Sequence, residues 1–162
     1  MKKPFIIIFL IIVTACSKPK PASILFFGDS ITELGVKPNG YVTLILNELN
    51  RQFTEQKIEI IGSGISGHKV PDLEIRLEKD VLSKKPDIVV IYIGINDVWH
   101  SILPGHTGTS VEDFKAGLHR IIFKLKAYGS KVALCTPSVI GEKNDNSNPL
   151  DKKLDQYAEI SR

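Results

Sequence analysis

Apolar and polar positions alternate along this chain in two rhythms that take turns. Residues 24–27, 58–61, 88–93 and 131–135 are short runs dominated by Ile, Leu, Val and Phe. Runs of that length and composition suit strands buried on both faces, as in a parallel sheet. Between them the apolar residues recur at three and four positions. Val42, Ile45, Leu46, Leu49 and Phe53 predict a helix over 40–53. Leu73, Leu77 and Val81 predict a second, with Pro71 at its first position. Val111, Phe114, Leu118, Ile121, Ile122 and Leu125 predict a third, opened by a Ser110/Asp113 pair resembling a capping box and closed before Gly129. Leu150, Leu154, Tyr157 and Ala158 predict a last helix over 149–161. Loops are expected at 35–40, at 98–109, at 136–148 and at 62–67, the last too glycine-rich for either regular element. Strand and helix alternate four times, which implies one parallel sheet with helices on both faces.

The amino terminus stands outside that pattern. Lys2 and Lys3 precede an apolar run at 5–13, and Thr14-Ala15 supply small residues before Cys16. This reads as a secretory signal over residues 1–15, too short to span a bilayer. Val13-Thr14-Ala15-Cys16 resembles a bacterial lipobox, which makes Cys16 the lipidated first residue of an exported, membrane-anchored lipoprotein; an ordinary cleaved signal would leave it secreted or periplasmic. Residues 16–22 then form a tether, and 23–162 form one domain. The formal charge falls from +3 to +1 without residues 1–15, which hold two of the 21 basic residues and none of the 18 acidic ones. No basic cluster interleaved with aromatics is present, which argues against nucleic acid as a partner. Cys135 lies within an apolar run and is expected to be buried and inert.

Three of the four strands end in small or amide residues: Gly28-Asp29-Ser30, Gly62-Ser63-Gly64 and Gly94-Ile95-Asn96. Parallel strands bring these ends to one edge of the sheet, the edge where ligands sit in open α/β folds. A hydroxyl, an unobstructed backbone N–H and a carboxamide meeting there match what acyl transfer needs, an attacking atom and donors for the developing charge. Taken singly, each stretch is also ordinary turn chemistry. Gly62-x-Gly64-x-x-Gly67 has the lettering of a dinucleotide fingerprint, but Pro71 starts the helix beyond it and no acidic residue ends a strand about 20 positions on. The Ser30 context fails Gly-x-Ser-x-Gly at its fifth position. No His-Glu-x-x-His or clustered Cys/His spacing indicates a metal, and no cofactor is expected.

These blocks, in this order, resemble those of the SGNH/GDSL serine hydrolases over 23–162. The resemblance implies a three-layer α/β/α fold with a central parallel sheet, flavodoxin-like, and cleavage of carboxylic esters. It makes Ser30 of Gly28-Asp29-Ser30-Ile31-Thr32 the nucleophile and one backbone oxyanion donor, Gly64 the second donor, and Asn96 of Gly94-Ile95-Asn96-Asp97 the side-chain donor. Gly62 stands where the family usually carries Asn, so a loop-bracing side chain is absent while the backbone donor is kept. Asp29 and Asp97 are read as residues that fix their loops. The substrates implied are small acyl esters, acetylated sugars or lysolipids, selected by the loop over 98–109.

The family takes its general base from an Asp-x-x-His pair after a fifth strand, and no such block is found here. The expectation is therefore a chain with its last strand missing, holding a nucleophile and oxyanion hole without the base. Among the four histidines, His119 falls on a helix away from the strand ends and His106 in a loop, as filler or substrate contact; only His68 and His100 could approach Ser30. The competing reading is a non-catalytic, lipid-anchored protein that binds acyl or glycan groups on the same scaffold.

Overall fold

The computed structural model describes residues 21–139, 141, 143 and 147–162. The expected signal segment, Cys16 and most of the tether lie outside the described residues. Four strands, β1 (Ala22–Gly28), β2 (Ile58–Gly64), β3 (Ile88–Tyr92) and β4 (Lys131–Cys135), form one sheet in the order β2-β1-β3-β4, every pair parallel. Among the described residues six α-helices accompany them: α1 (Ser30–Gly35), α2 (Tyr41–Gln52), α3 (Val70–Asp80), α4 (Ile95–Trp99), α5 (Val111–Ala127) and α6 (Asp151–Ser161). The α/β class and the parallel sheet are as the sequence pattern predicts.

Period-two alternation along the strands divides the sheet into two faces. Leu25, Phe27, Val89 and Ile91 point to one face and are fully buried under Leu73 and Leu77 of α3, Phe114, Leu118 and Ile121 of α5, and Tyr157 of α6. Burying side chains of this size contributes about 1.5–3 kcal/mol each, so this face supplies most of the driving force. On the other face Phe26 meets the Tyr41 ring of α2 edge-on at 5.7 Å, and Tyr41 meets Tyr92 at 6.0 Å. Further along that face Ala133 is exposed and Cys135 half-buried; burial pushes the Cys135 thiol up from its ordinary value.

Local chemistry sets the helix starts. Ser110 Oγ accepts from Asp113 N at 3.0 Å and opens α5. Asp72 Oδ2 accepts from Lys69 N at 2.8 Å and opens α3, where Pro71 is the second residue.

Two sequence expectations are corrected, and one short helix is added. The glycine-rich stretch at 62–67 is not all loop: Gly62, Ser63 and Gly64 continue β2, paired with Phe26, Phe27 and Gly28. Glycine is tolerated there because other groups occupy the space of a side chain; a Cβ on Gly62 would lie 2.3 Å from Val36 Cγ1. Residues 30–35 form α1, whose six residues are too few to display an apolar stripe. The segment expected as a loop from Val98 begins as helix, with α4 ending at Trp99 and a 3₁₀ turn over His100–Ile102; Val98 is its fully buried inward residue.

Candidate active site

The β1 exit is shaped by what Gly28 leaves out. A Cβ there would stand 2.2 Å from the Tyr92 carbonyl oxygen, so only glycine lets β1 and β3 close at this level. Asp29 then caps α1. Its Oδ1 accepts from Ile31 N at 2.9 Å and its carbonyl from Glu33 N at 2.9 Å. Burial pushes the Asp29 carboxyl above the usual carboxylate range, opposed by the Ile31 N–H, and Oδ2 is buried without a hydrogen-bond partner. Ser30 follows as the first helical residue, half-buried, at a position whose N–H has no intrahelical acceptor.

Gly64 faces this turn directly. It stands in register with Gly28, and a Cβ on it would be 2.1 Å from Glu33 N and 2.6 Å from Asp29 O. The ladder bond at this level runs from Ile65 N to Gly28 O at 3.2 Å. Peptide groups alternate along a strand, so the Gly64 N–H, one residue earlier, is turned out of the β1 ladder. Glu33 Oε2 of α1 accepts from both N and Oγ of Ser66, at 2.7 and 2.6 Å, which fastens the segment after β2 to the helix carrying Ser30. These two bonds hold the Glu33 carboxyl below its ordinary value.

The third strand end reaches the same place from the other side. Tyr92 pairs with Gly28, and the chain turns at Gly94, whose φ of +125° and 2.6 Å approach to Pro137 Cγ both demand glycine. Asn96, 4% exposed on α4, donates from Nδ2 to the His68 carbonyl at 3.1 Å. One proton of its amide is thus committed to the segment that follows Gly64, and the other remains. Asp97 is fully buried; its Oδ1 accepts from Val70 N at 3.1 Å, and its carbonyl accepts from Thr109 N at 2.9 Å. Burial pushes this carboxyl up to about 6, against the pull of the Thr109 hydroxyl, the Val70 N–H and the Lys69 charge. Asp29 and Asp97 both brace loops, as their positions in the sequence imply.

The histidines are spread around this rim. The His68 carbonyl is taken by Asn96, while its Nδ1 is buried without a partner. The His100 ring meets that of His106 tilted by 55°, 4.8 Å between centroids, and burial, then His106 and Lys69, lower its pKa. His119 is exposed on α5. The letters Asp-x-x-His do occur, at Asp97 and His100, on α4 rather than beyond a fifth strand. Asp97 is committed to Val70, and among the described residues no hydrogen bond joins the two. Among the described residues, no group of three His, Cys, Asp or Glu side chains is arranged to hold a metal ion.

Sequence reasoning missed Arg76. Its guanidinium, 9% exposed, donates to Gly28 O at 2.7 Å and to Ser63 O at 3.1 Å, the carbonyls at the ends of β1 and β2. The signal was there: Arg76 lies three residues after Leu73, a charged residue on the core-facing stripe of α3.

A doubly wound parallel sheet with Gly-Asp-Ser at the first strand end, glycine at the second and Gly-x-Asn at the third is the plan of the SGNH ester hydrolases. The chain belongs to the GDSL-like lipase/acylhydrolase family, whose family model matches residues 26–162, and it is an esterase-type hydrolase on that scaffold. It is 34% identical to an acetylxylan esterase of Geobacillus stearothermophilus over 85% of this chain and 68% of that protein. It is also similar to the crystal structure of the acetyl xylan esterase AlAXEase, at 46% identity and a TM-score of 0.81, over 86% of this chain and 70% of the other. A lipoprotein of Bacillus subtilis, YqeF, is 29% identical over 86% of this chain and 59% of its own length. Solved catalytic mutants of the Geobacillus acetylxylan esterase replace a serine, an aspartate and a histidine.

Proposed function

We propose that this chain carries the nucleophile and oxyanion hole of an esterase acting on acetylated sugars. Ser30 Oγ attacks the acetyl carbonyl, the carbonyl oxygen takes up the negative charge, and Ser30 N–H, Gly64 N–H and Asn96 Nδ2 stabilise it. The ester C–O bond then breaks, the sugar leaves as its alcohol after taking a proton, and acetyl-Ser30 remains for water to release as acetate. Among small acyl esters, acetylated sugars and lysolipids, the acetylated sugar is favoured by the names of two relatives. The observation that carries the reading is the register: Gly28 is paired with Gly64 on one side and Tyr92 on the other, so Ser30, Gly64 and Asn96 all leave the sheet at one rim.

The step that needs help is removal of the Ser30 proton. Among the described residues, Asp97 is committed to Val70 N and the His100 ring meets His106, so this pair is not set up to activate Ser30. That same observation supports the second reading, a protein that grips acyl or glycan groups without cleaving them.

Supplying the base from solution separates the two. The chain is incubated with p-nitrophenyl acetate and increasing imidazole, and peptides are mapped by mass spectrometry. Acetylation of Ser30 that rises with imidazole, and is lost in Ser30→Ala, supports the hydrolase. Saturable binding of acetylated xylo-oligosaccharide with no acetyl-Ser30 supports the binder. Residues 1–15 are proposed to act as a signal, with Cys16 lipidated and 23–162 as the exported domain. The relation to YqeF favours this. Cys16→Ala is expected to move the protein from the membrane fraction to the soluble one.

A further inference from the structure

Arg76 is a buried cation whose contacts to the main chain lie just ahead of the proposed reacting groups. Nη2 donates to Gly28 O at 2.7 Å and to Ser63 O at 3.1 Å. Nη1 donates to Ser63 O at 3.1 Å, Ser63 Oγ at 3.0 Å and Asp80 Oδ2 at 3.0 Å. The guanidinium carbon sits 4.4 Å from the centroid of the Phe27 ring, so the plane is held from above as well as at its edge. A guanidinium presents its donors in a rigid fork, and here the fork spans two strand ends that the ladder alone joins by single bonds.

The chemistry of one peptide group makes this placement matter. The Ser63 carbonyl and the Gly64 N–H belong to the same planar unit, with oxygen and hydrogen on opposite sides. Two guanidinium donors on that oxygen fix the direction in which the N–H points. They also draw electron density toward the oxygen, and so strengthen the N–H as a donor. The same fork holds Gly28 O, two residues before Ser30. At its other end α3 begins at Val70, whose N–H is held by Asp97, the neighbour of Asn96. One helix therefore touches the ends of β1 and β2 and the helix α4 that follows β3.

We propose that Arg76 is a positioning residue, which aims and polarises the Ser63–Gly64 peptide so that the Gly64 N–H meets the charge developing on the ester oxygen. This rests on the ester-cleaving reading above and adds to it a residue that never contacts substrate. Lysine, a point charge with no fork, should hold one carbonyl and release the other.

The test compares the wild-type chain with Arg76→Lys and Arg76→Ala. Two readouts are used: acetylation of Ser30 by p-nitrophenyl acetate with imidazole, and the amide NMR signals of the ¹⁵N-labelled protein. In Arg76→Lys the acetylation rate at saturating ester is expected to fall about 10–100-fold. The half-saturating ester concentration should stay within about twofold, because ground-state binding is untouched. The Gly64 amide resonance should move while those of β3 and β4 stay in place. Methylguanidinium added to Arg76→Ala should restore part of the rate. An unchanged rate with an unmoved Gly64 amide overturns the proposal. So does a general loss of signal dispersion with rate and half-saturation changing together, which is a structural role only. If Arg76→Ala does not fold, the lysine variant decides. A wild-type chain that takes up no acetyl group counts against the ester-cleaving reading, and the Gly64 amide then decides Arg76 by itself.

Discussion

The two halves of the site rim are held by different physics. On the β1–β2 side, Gly64 pairs with Gly28 and packs against the backbone of Asp29 and Glu33, Glu33 takes both donors of Ser66, and Arg76 bridges Gly28 O and Ser63 O. On the β3–β4 side, the Asn96 side chain donates to the His68 carbonyl, and its neighbour Asp97 accepts from Val70 N at its carboxyl and from Thr109 N at its carbonyl. The first half is pinned by the five-donor fork of a guanidinium. The second depends on a buried carboxyl raised to about 6, within reach of ordinary pH. Ser30 and Gly64 are therefore held in a rigid unit, while Asn96 is attached by contacts that pH and substitution can loosen.

The harshest way to break the contrast is Gly64→Ala. Its Cβ would stand 2.1 Å from Glu33 N and 2.6 Å from Asp29 O, and neither backbone atom can move without unseating α1. A loss of about 3 kcal/mol is expected, read as a lower urea midpoint with the slope unchanged. Next comes Asn96→Ala, which leaves the fold in place but removes a donor. Imidazole-assisted acetylation of Ser30 should slow about 10²-fold, or roughly 2.7 kcal/mol.

The pH dependence sharpens the comparison further. Asp97 is raised from 3.8 in the unfolded chain to about 6 in the fold, so the folded state binds its proton more tightly. Its contribution to stability is present below about 4, falls as pH rises through about 6, and is flat above that. Asp29 is raised by burial and works in the same direction. Asp97→Asn keeps an acceptor for Val70 N and removes the titration. The stability of wild type relative to Asp97→Asn should therefore decline by on the order of 2 kcal/mol between pH 4 and 7; an equal difference at every pH would contradict it. His100→Ala is expected to have the smallest effect. Acetylation of Ser30 should stay within about twofold and stability within about 0.5 kcal/mol, measured by the same assays.

Much of this was legible in the sequence because it is periodic. The four apolar runs located the strands, the three- and four-residue spacings located α2, α3, α5 and α6, and the strand-end letters placed Ser30, Gly64 and Asn96 on one rim. What escaped was short or long-range. α1 and α4 span six and five residues, less than two helical turns, so no stripe accumulates to be read. Gly62 and Gly64 look like loop residues locally, and only the approach of Val36 and of the α1 backbone explains glycine inside a strand. Arg76 lies 48 positions from Gly28, and nothing local says where its fork will land.

In the proposed site, three donors far apart in sequence surround one oxygen. The most direct test of this arrangement is a crystal structure of the chain with Ser30 phosphonylated by an activated organophosphonate, a stable mimic of the tetrahedral adduct. A phosphoryl oxygen is expected within about 3 Å of Ser30 N, Gly64 N and Asn96 Nδ2 together. An adduct on Ser30 whose oxygens reach neither Gly64 N nor Asn96 Nδ2 would contradict it.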